Sequence, residues 1–199
     1  MKSLDLAPKN YSSIHLRVKY PIGPAKPKIK KRNPGRVVGD FEKDFSFAKL
    51  KGMVTKWADN AVNCAVELDP NSTIYYVSSD NNDTVGYLLQ DSQFAQHHSN
   101  ILWLRNATAS TNISTTPLVG RLVARDYSRE NEHIEFSKNR DIDGFMSVFE
   151  DLIIMASGKC MAHGMGGFGR LASALSGGEC VVAHRGRNMK VCGDALANK

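Results

Sequence analysis

From Tyr11 to Lys19 the chain reads YSSIHLRVK, with Ile14, Leu16 and Val18 alternating with His15, Arg17 and Lys19. A period of two predicts a strand with one apolar face and a polar face of His15, Arg17 and Lys19. The period then changes. Between Phe41 and Leu68, Phe45, Leu50, Val54, Trp57, Ala61, Cys64, Ala65 and Leu68 recur at spacings of three to five. This predicts a helix, which Asp69-Pro70-Asn71 ends. Thr73 to Ser78, TIYYVS, is β-branched and aromatic and predicts a strand at the centre of a sheet. It runs into the polar turn Ser79 to Asp83. A second helix is expected over 84–90, with Asp83 or Thr84 near its cap. Ile101 to Arg105, ILWLR, reads as a further short strand. Residues 106–133 are rich in Thr, Ser and Asn and then charged, and read as loop.

The densest pattern is Ser147 to Ser176. Phe149, Leu152, Ile153, Met155 and Ala156 form an apolar stripe at helical spacing. Asp141 and Asp143 precede it. Lys159 to His163 suits a short buried strand. Gly164, Gly166, Gly167 and Gly169 then crowd a turn, Arg170 to Leu175 resumes helical spacing, and Gly177-Gly178 stops it. Glu179 to His184 is the last strand. Strands alternating with helices predict a single α/β domain over residues 1–199, Rossmann-like and layered, with a mainly parallel sheet. Such sheets bind ligands at the carboxyl ends of their strands. Three polar clusters fall at such ends: Arg17–Lys19, Ser79–Asn82 and Gly164–Gly169. A strand, a glycine turn and a helix N-terminus together form an anion receptor. The expected ligand is a phosphate-bearing small molecule.

Charge narrows the partners. The net charge is +6. However, Arg17, Lys19, Lys26, Lys28, Lys30, Lys31, Arg32 and Arg36 cluster in one Pro- and Lys-rich stretch, a basic loop at about 20–36. The rest is nearly neutral, so a general nucleic-acid surface is not implied. No apolar run is long enough to span a membrane, and the first residues carry no apolar signal core. Cys64, Cys160, Cys180 and Cys192 are widely spaced without a CxxC, which argues against zinc. Cys160 and Cys180, in apolar strand candidates, read first as buried thiols, and one disulfide, with Cys192, is the alternative. Five N-x-[ST] sequons, at Asn10, Asn71, Asn82, Asn106 and Asn112, exceed the roughly two that chance would place. They hint at a secretory lumen.

Gly164-Met165-Gly166-Gly167-Phe168-Gly169 also matches the dinucleotide fingerprint G-x-G-x-x-G, and Arg185, about 20 residues on, would suit a 2′-phosphate. That fingerprint normally belongs to the first βαβ unit, whereas here one strand and a tail follow. An NAD(P)-binding oxidoreductase fragment is therefore the least favoured reading. A glycine turn serving only close helix–sheet packing is another alternative.

His15-Leu16-Arg17 ends one strand and Tyr75-Tyr76-Val77-Ser78-Ser79-Asp80 another. Asp151-Leu152-Ile153-Ile154-Met155-Ala156 then leads through a strand to a small-residue turn with Phe168. In this order, over roughly residues 10–180, the chain resembles the nucleotide-sugar half of the fucosyltransferase superfamily, which includes the protein O-fucosyltransferases and α1,6-fucosyltransferases. The resemblance implies the C-terminal half of a GT-B glycosyltransferase that binds GDP-fucose, with metal-independent, inverting transfer to a glycan or protein acceptor and no cofactor. It implies that Arg17 grips the diphosphate and stabilises the leaving GDP, and that His15 supports Arg17 or touches the nucleotide. Asp80, with Asn81 beside it, and Asp151 would meet the base or ribose, while Gly166, Gly167, Phe168 and Gly169 hold phosphate oxygens. Val18-Lys19-Tyr20 stand where the family has a second Arg and an Asp, and Gly166-Gly167 stand where it has Ser or Thr. No acceptor domain is recognisable, so a non-catalytic nucleotide-binding or interaction module is the main rival. Glu42 and Asp44 are weak candidates for a general base, and His163 reads as a buried, satisfied histidine. The Golgi or ER lumen is expected if the chain is part of a longer secretory-pathway protein, and the cytoplasm if it is complete.

Overall fold

The computed structural model describes residues 6–18, 46–95, 120–125, 142–185 and 192. Its strands are β1 (Ser12–Leu16), β2 (Ile74–Ser79), β3 (Arg121–Val123), β4 (Cys160–His163) and β5 (Val181–Ala183). Its helices are α1 (Phe47–Leu68), α2 (Asn82–Gly86, continued by a π turn over Tyr87–Asp91), α3 (Ile142–Ser157) and α4 (Gly167–Leu175). The five strands form one sheet in the order β3-β2-β1-β4-β5, and every pairing is parallel. This is an α/β, Rossmann-like domain with helices on both faces. The middle strand is β1, not the TIYYVS strand β2. The expected strand at 101–105 lies outside the described residues, as does the basic stretch 20–36. The third described strand, Arg121–Val123, falls inside the segment read as loop, where only Leu122 is buried.

Two cores follow from two covered faces. Ile14, Leu16, Tyr75, Val77, Ala162 and Val182 face α1 and the α2 segment. Tyr11, Ile74, Tyr76 and Met161 face α3 and α4 through Leu152, Met155 and Ala172. The polar face expected of β1 is therefore buried as well. Ser13 is fully covered and Ser13 Oγ donates to the Met155 carbonyl at 3.1 Å, while His15 is 4% exposed. A parallel sheet hides both faces beneath its crossover helices, so alternation along β1 marks which helix a side chain meets rather than whether it meets water.

Helix α3 departs from its apolar stripe. Leu152 and Met155 are buried, but Phe149 and Ile153 are 49% and 64% exposed. The residue that turns inward beside Leu152 is Asp151, 2% exposed. It accepts hydrogen bonds from the Tyr76 hydroxyl (2.6 Å) and the Ser78 hydroxyl (2.9 Å) and pairs with Arg125 Nε at 3.2 Å. A buried carboxylate is tolerated only with such partners, and these partners set the rotation of α3 on the sheet.

At the amino ends of the strands, Asp69 plays a similar part. Its carboxylate receives Ser12 Oγ at 2.8 Å and Lys159 Nζ at 3.0 Å, and the Tyr75 hydroxyl donates to its carbonyl at 2.7 Å. This joins the end of α1 to β1, β2 and the start of β4.

The cysteines are not thiols. Cys160 pairs with Cys180 across the β4–α4–β5 crossover, and Cys64 of α1 pairs with Cys192. No free cysteine remains. The apolar surroundings that suggested buried thiols suit a buried disulfide equally well. Closing the loop between Cys160 and Cys180 is expected to stabilise the fold by about 3 kcal/mol through the unfolded chain. The double substitution Cys160→Ser/Cys180→Ser should lower the urea midpoint by the corresponding amount, and an unchanged midpoint would show that the pair does not form.

Candidate functional site at the carboxyl edge

Strand order reverses between β1 and β4. The crossover that leaves β1 runs through α1 to β2 on one side, and the crossover that leaves β4 runs through α4 to β5 on the other. The chain therefore diverges above these two neighbouring strands, and a divergence of this kind, at the strands' carboxyl ends, is where doubly wound sheets form a ligand crevice. Arg17 follows β1 on one side of this point, and Gly164–Gly169 follows β4 on the other.

The glycine turn is shorter than its sequence suggested. Helix α4 already begins at Gly167, with Gly166 as its N-cap at φ 112°, a left-handed conformation that favours glycine. The N-cap residue, a glycine, has no side chain with which to cap the helix, and among the described residues no other side chain is recorded on the N–H groups of its first turn. Gly166 also lies against Arg17. A Cβ there would stand 2.8 Å from Arg17 Nη1 and 3.0 Å from its Cδ. The guanidinium and the positive end of α4 are thus packed together, an arrangement that favours an anion beside both.

Beneath them sits His15. A Cβ on Gly169 would be 2.8 Å from His15 Nδ1 and 3.0 Å from His163 Cβ. The Phe168 ring lies 5.4 Å from the imidazole, centroid to centroid. The His15 carbonyl accepts from the Gly164 N–H and pairs with His184 Nε2, both at 3.0 Å. Burial pushes the His15 imidazole down to about 3, only partly offset by the Asp80 carboxylate. His184 is likewise pushed down to about 4 by burial. His15 is therefore a neutral prop under the first turn of α4. His163, read as buried, is only half-buried, and its Nδ1 lies 2.9 Å from the Gly164 carbonyl.

The other candidates divide by where their bonds go. Asp80 is at the same edge. Its Oδ1 accepts the Val18 N–H at 2.7 Å, holding the chain just beyond Arg17, and its charge also favours protonated Arg185. Asn81, not Asp83 or Thr84, is the N-cap of α2, accepting from Thr84 N at 2.9 Å and Thr84 Oγ1 at 2.7 Å. Asp151 is committed to Tyr76, Ser78 and Arg125, as described above. The structure thus brings His15, Arg17, Asp80 and Gly166–Gly169 together, while Asn81 and Asp151 support elements beside them. Glu42 and Asp44 lie outside the described residues.

His184, which the sequence did not single out, and Arg185, weighed there only as a partner for a 2′-phosphate, complete this edge. His184 follows β5 and ties it to the end of β1. The Arg185 guanidinium stacks 3.1 Å above the Trp57 ring of α1 and is 9% exposed. Burial lowers it to about 10, so it stays charged at neutral pH. Each polar residue follows directly on an apolar strand, which is the one signal that could have marked them. Among the described residues the G-x-G-x-x-G turn follows the fourth strand, β4, whereas a dinucleotide fingerprint normally follows the first.

Fold and site together define a doubly wound α/β domain whose topological switch point carries Arg17 packed against the glycine N-cap of α4. No family model matches the chain, and neither a curated protein nor a solved structure matches it.

Two consequences are measurable. Gly169→Ala should destabilise the domain by about 1–3 kcal/mol through overpacking on His15. Gly167→Ala, where nothing lies within 4 Å, should be neutral or stabilising by up to about 1 kcal/mol. Equal unfolding midpoints for the two would contradict the packing described. The two histidines also set a pH dependence. Folded, they stay neutral down to about 3 and 4, whereas in the unfolded chain they charge near 6.5. The unfolded state therefore binds more protons below that point, and stability falls as pH drops. The loss is at most about 1.4 kcal/mol per pH unit for each imidazole. Urea midpoints measured between about pH 7 and pH 4 should decline steadily. A flat profile would mean that the imidazoles are solvated.

Proposed function

We propose that this domain binds a nucleoside-diphosphate sugar, GDP-fucose by the resemblance of its motifs, as the donor half of a GT-B-like glycosyltransferase does. The observation that supports the reading is the packing of Arg17 against the glycine N-cap of α4 at the β1/β4 switch point. An arginine offers a planar, permanently charged fork that matches diphosphate oxygens. The first-turn N–H groups of Gly167, Phe168 and Gly169 would take the remaining oxygens. His15, neutral and packed under the turn, positions both without adding charge. Asp80, at the same edge, would meet donors on the ribose or base, since a carboxylate only accepts hydrogen bonds.

In an inverting transfer an acceptor hydroxyl attacks the anomeric carbon, and the carbon–oxygen bond to the diphosphate breaks. The electron pair leaves with GDP. The described residues suit the leaving-group side of this step. Arg17 and the helix dipole would stabilise charge where it develops on the β-phosphate, the electrostatic contribution on which metal-independent transfer depends. The proton lost by the acceptor would go to a base on the acceptor side.

A second reading, nucleotide binding without transfer, has its own support. Asn81 and Asp151, expected at the ligand, are bonded within the fold. Binding therefore rests on fewer side chains than the family motifs imply.

A thermal-shift panel of GDP, UDP, GDP-fucose and NADP tests the proposal. GDP and GDP-fucose should raise the unfolding temperature, whereas UDP and NADP should not. Arg17→Ala should weaken GDP binding about 10- to 100-fold, the loss expected for hydrogen bonds to a charged group. Unchanged affinity by calorimetry would overturn the phosphate assignment. Binding of GDP-fucose with no transfer to any acceptor would select the second reading.

A further inference from the structure

We propose that Asn71 and Asn10 are N-glycosylation sites, and that they place their glycans on the amino edge of the sheet, opposite the nucleotide crevice. Three independent observations point there. Both asparagines stand in N-x-[ST] sequons, Asn71-Ser72-Thr73 and Asn10-Tyr11-Ser12. Both are exposed, as is Thr73. All four cysteines are paired in disulfides, the state expected of a chain that folds in an oxidising compartment. In eukaryotic cells that compartment is also where sequon asparagines are modified.

Their surroundings suit a surface graft. Asn71 is the third residue of the turn Asp69-Pro70-Asn71-Ser72, closed by Ser72 N–H to the Asp69 carbonyl at 3.1 Å. No side-chain bond of Asn71 holds the fold among the described residues. Asn10 lies at the end of the turn begun at Ala7, whose N–H donates to Asn10 Oδ1 at 3.0 Å. Its amide Nδ2 is the atom to be modified, and it takes no part in that bond. Asp69, the first residue of the Asn71 turn, also holds Ser12 Oγ, two residues beyond Asn10, so both asparagines lie at the amino ends of β1 and β2. Strands of five and six residues separate this edge from Arg17 and Asp80 by about 15–20 Å, so a glycan there leaves the crevice open. Asn82 differs. It is half-buried, beside the Asn81 cap on the crevice edge, and the proposal does not extend to it.

The reaction is a transfer from a lipid diphosphate-linked oligosaccharide. The asparagine Nδ2 forms a bond to the anomeric carbon, the carbon–oxygen bond to the lipid diphosphate breaks, and the diphosphate leaves with its electron pair. The amide proton passes to the transferring enzyme.

The test uses the protein isolated from the cells that make it. Peptide-N-glycosidase digestion in heavy-oxygen water should convert Asn71 and Asn10 to labelled aspartates, read by peptide mass spectrometry. Asn71→Gln and Asn10→Gln, expressed in the same cells, should each remove one glycan-sized step in gel mobility and leave the urea midpoint unchanged. An unmodified Asn71 in the native protein would overturn the proposal, and an unmodified Asn10 would remove that half of it.

Discussion

Helix α4 can sit on the end of β1 only because two of its contacts lack side chains. Gly169 rests on His15 and His163, and Gly166, in a left-handed conformation, rests on Arg17. With a larger residue at either place the helix would be lifted from the sheet, and the guanidinium would be parted from the dipole it accompanies. The buried neutral imidazole is the other half of this contact. A charged His15 would face both Arg17 and the positive end of α4, so burial and local charge together keep it deprotonated. The juxtaposition of Arg17 with the positive end of α4 is therefore a consequence of close packing.

Around that contact, polar groups are assigned unequally. Asp151 and Asp69 are both buried carboxylates with full sets of partners, one near the ligand edge and one at the amino edge. They fix how α3 and α1 sit on the sheet. Asp80 remains half-buried and works at the edge itself, where it holds the backbone of Val18 and favours the charge of Arg185. The result is a rigid frame on which cations and backbone N–H groups converge at the switch point.

Much of this was legible in the chain. Apolar alternation marked β1, a β-branched and aromatic run marked β2, the glycines marked the β4–α4 turn, and polar residues at the strand ends marked one edge of a parallel sheet. Three things were not. Arg121–Val123 is too short, and too embedded in polar residues, for periodicity to expose it. It becomes a strand because Ile74–Tyr76 presents an open pairing edge. Phe149 and Ile153 have the right spacing for a core stripe yet face outward, because the bonds of Asp151 to Tyr76, Ser78 and Arg125 determine which side of α3 turns in. The cysteines read as thiols because disulfide partners are set by distance in space, and Cys160 and Cys180 meet only once β4 and β5 are paired.

By itself, then, the sequence determined the alternation of strands and helices, the α/β class and the residues at the strand ends, since these depend on local periodicity and turn chemistry. Tertiary structure decided which of those residues meet. It placed β1 in the middle of the sheet and put β4 beside it, which brought Arg17 to Gly166 across 149 positions of chain. It also gave Asn81 and Asp151 to the frame, because a buried polar group must find its partner within the fold, and that partner is chosen by position rather than by sequence pattern.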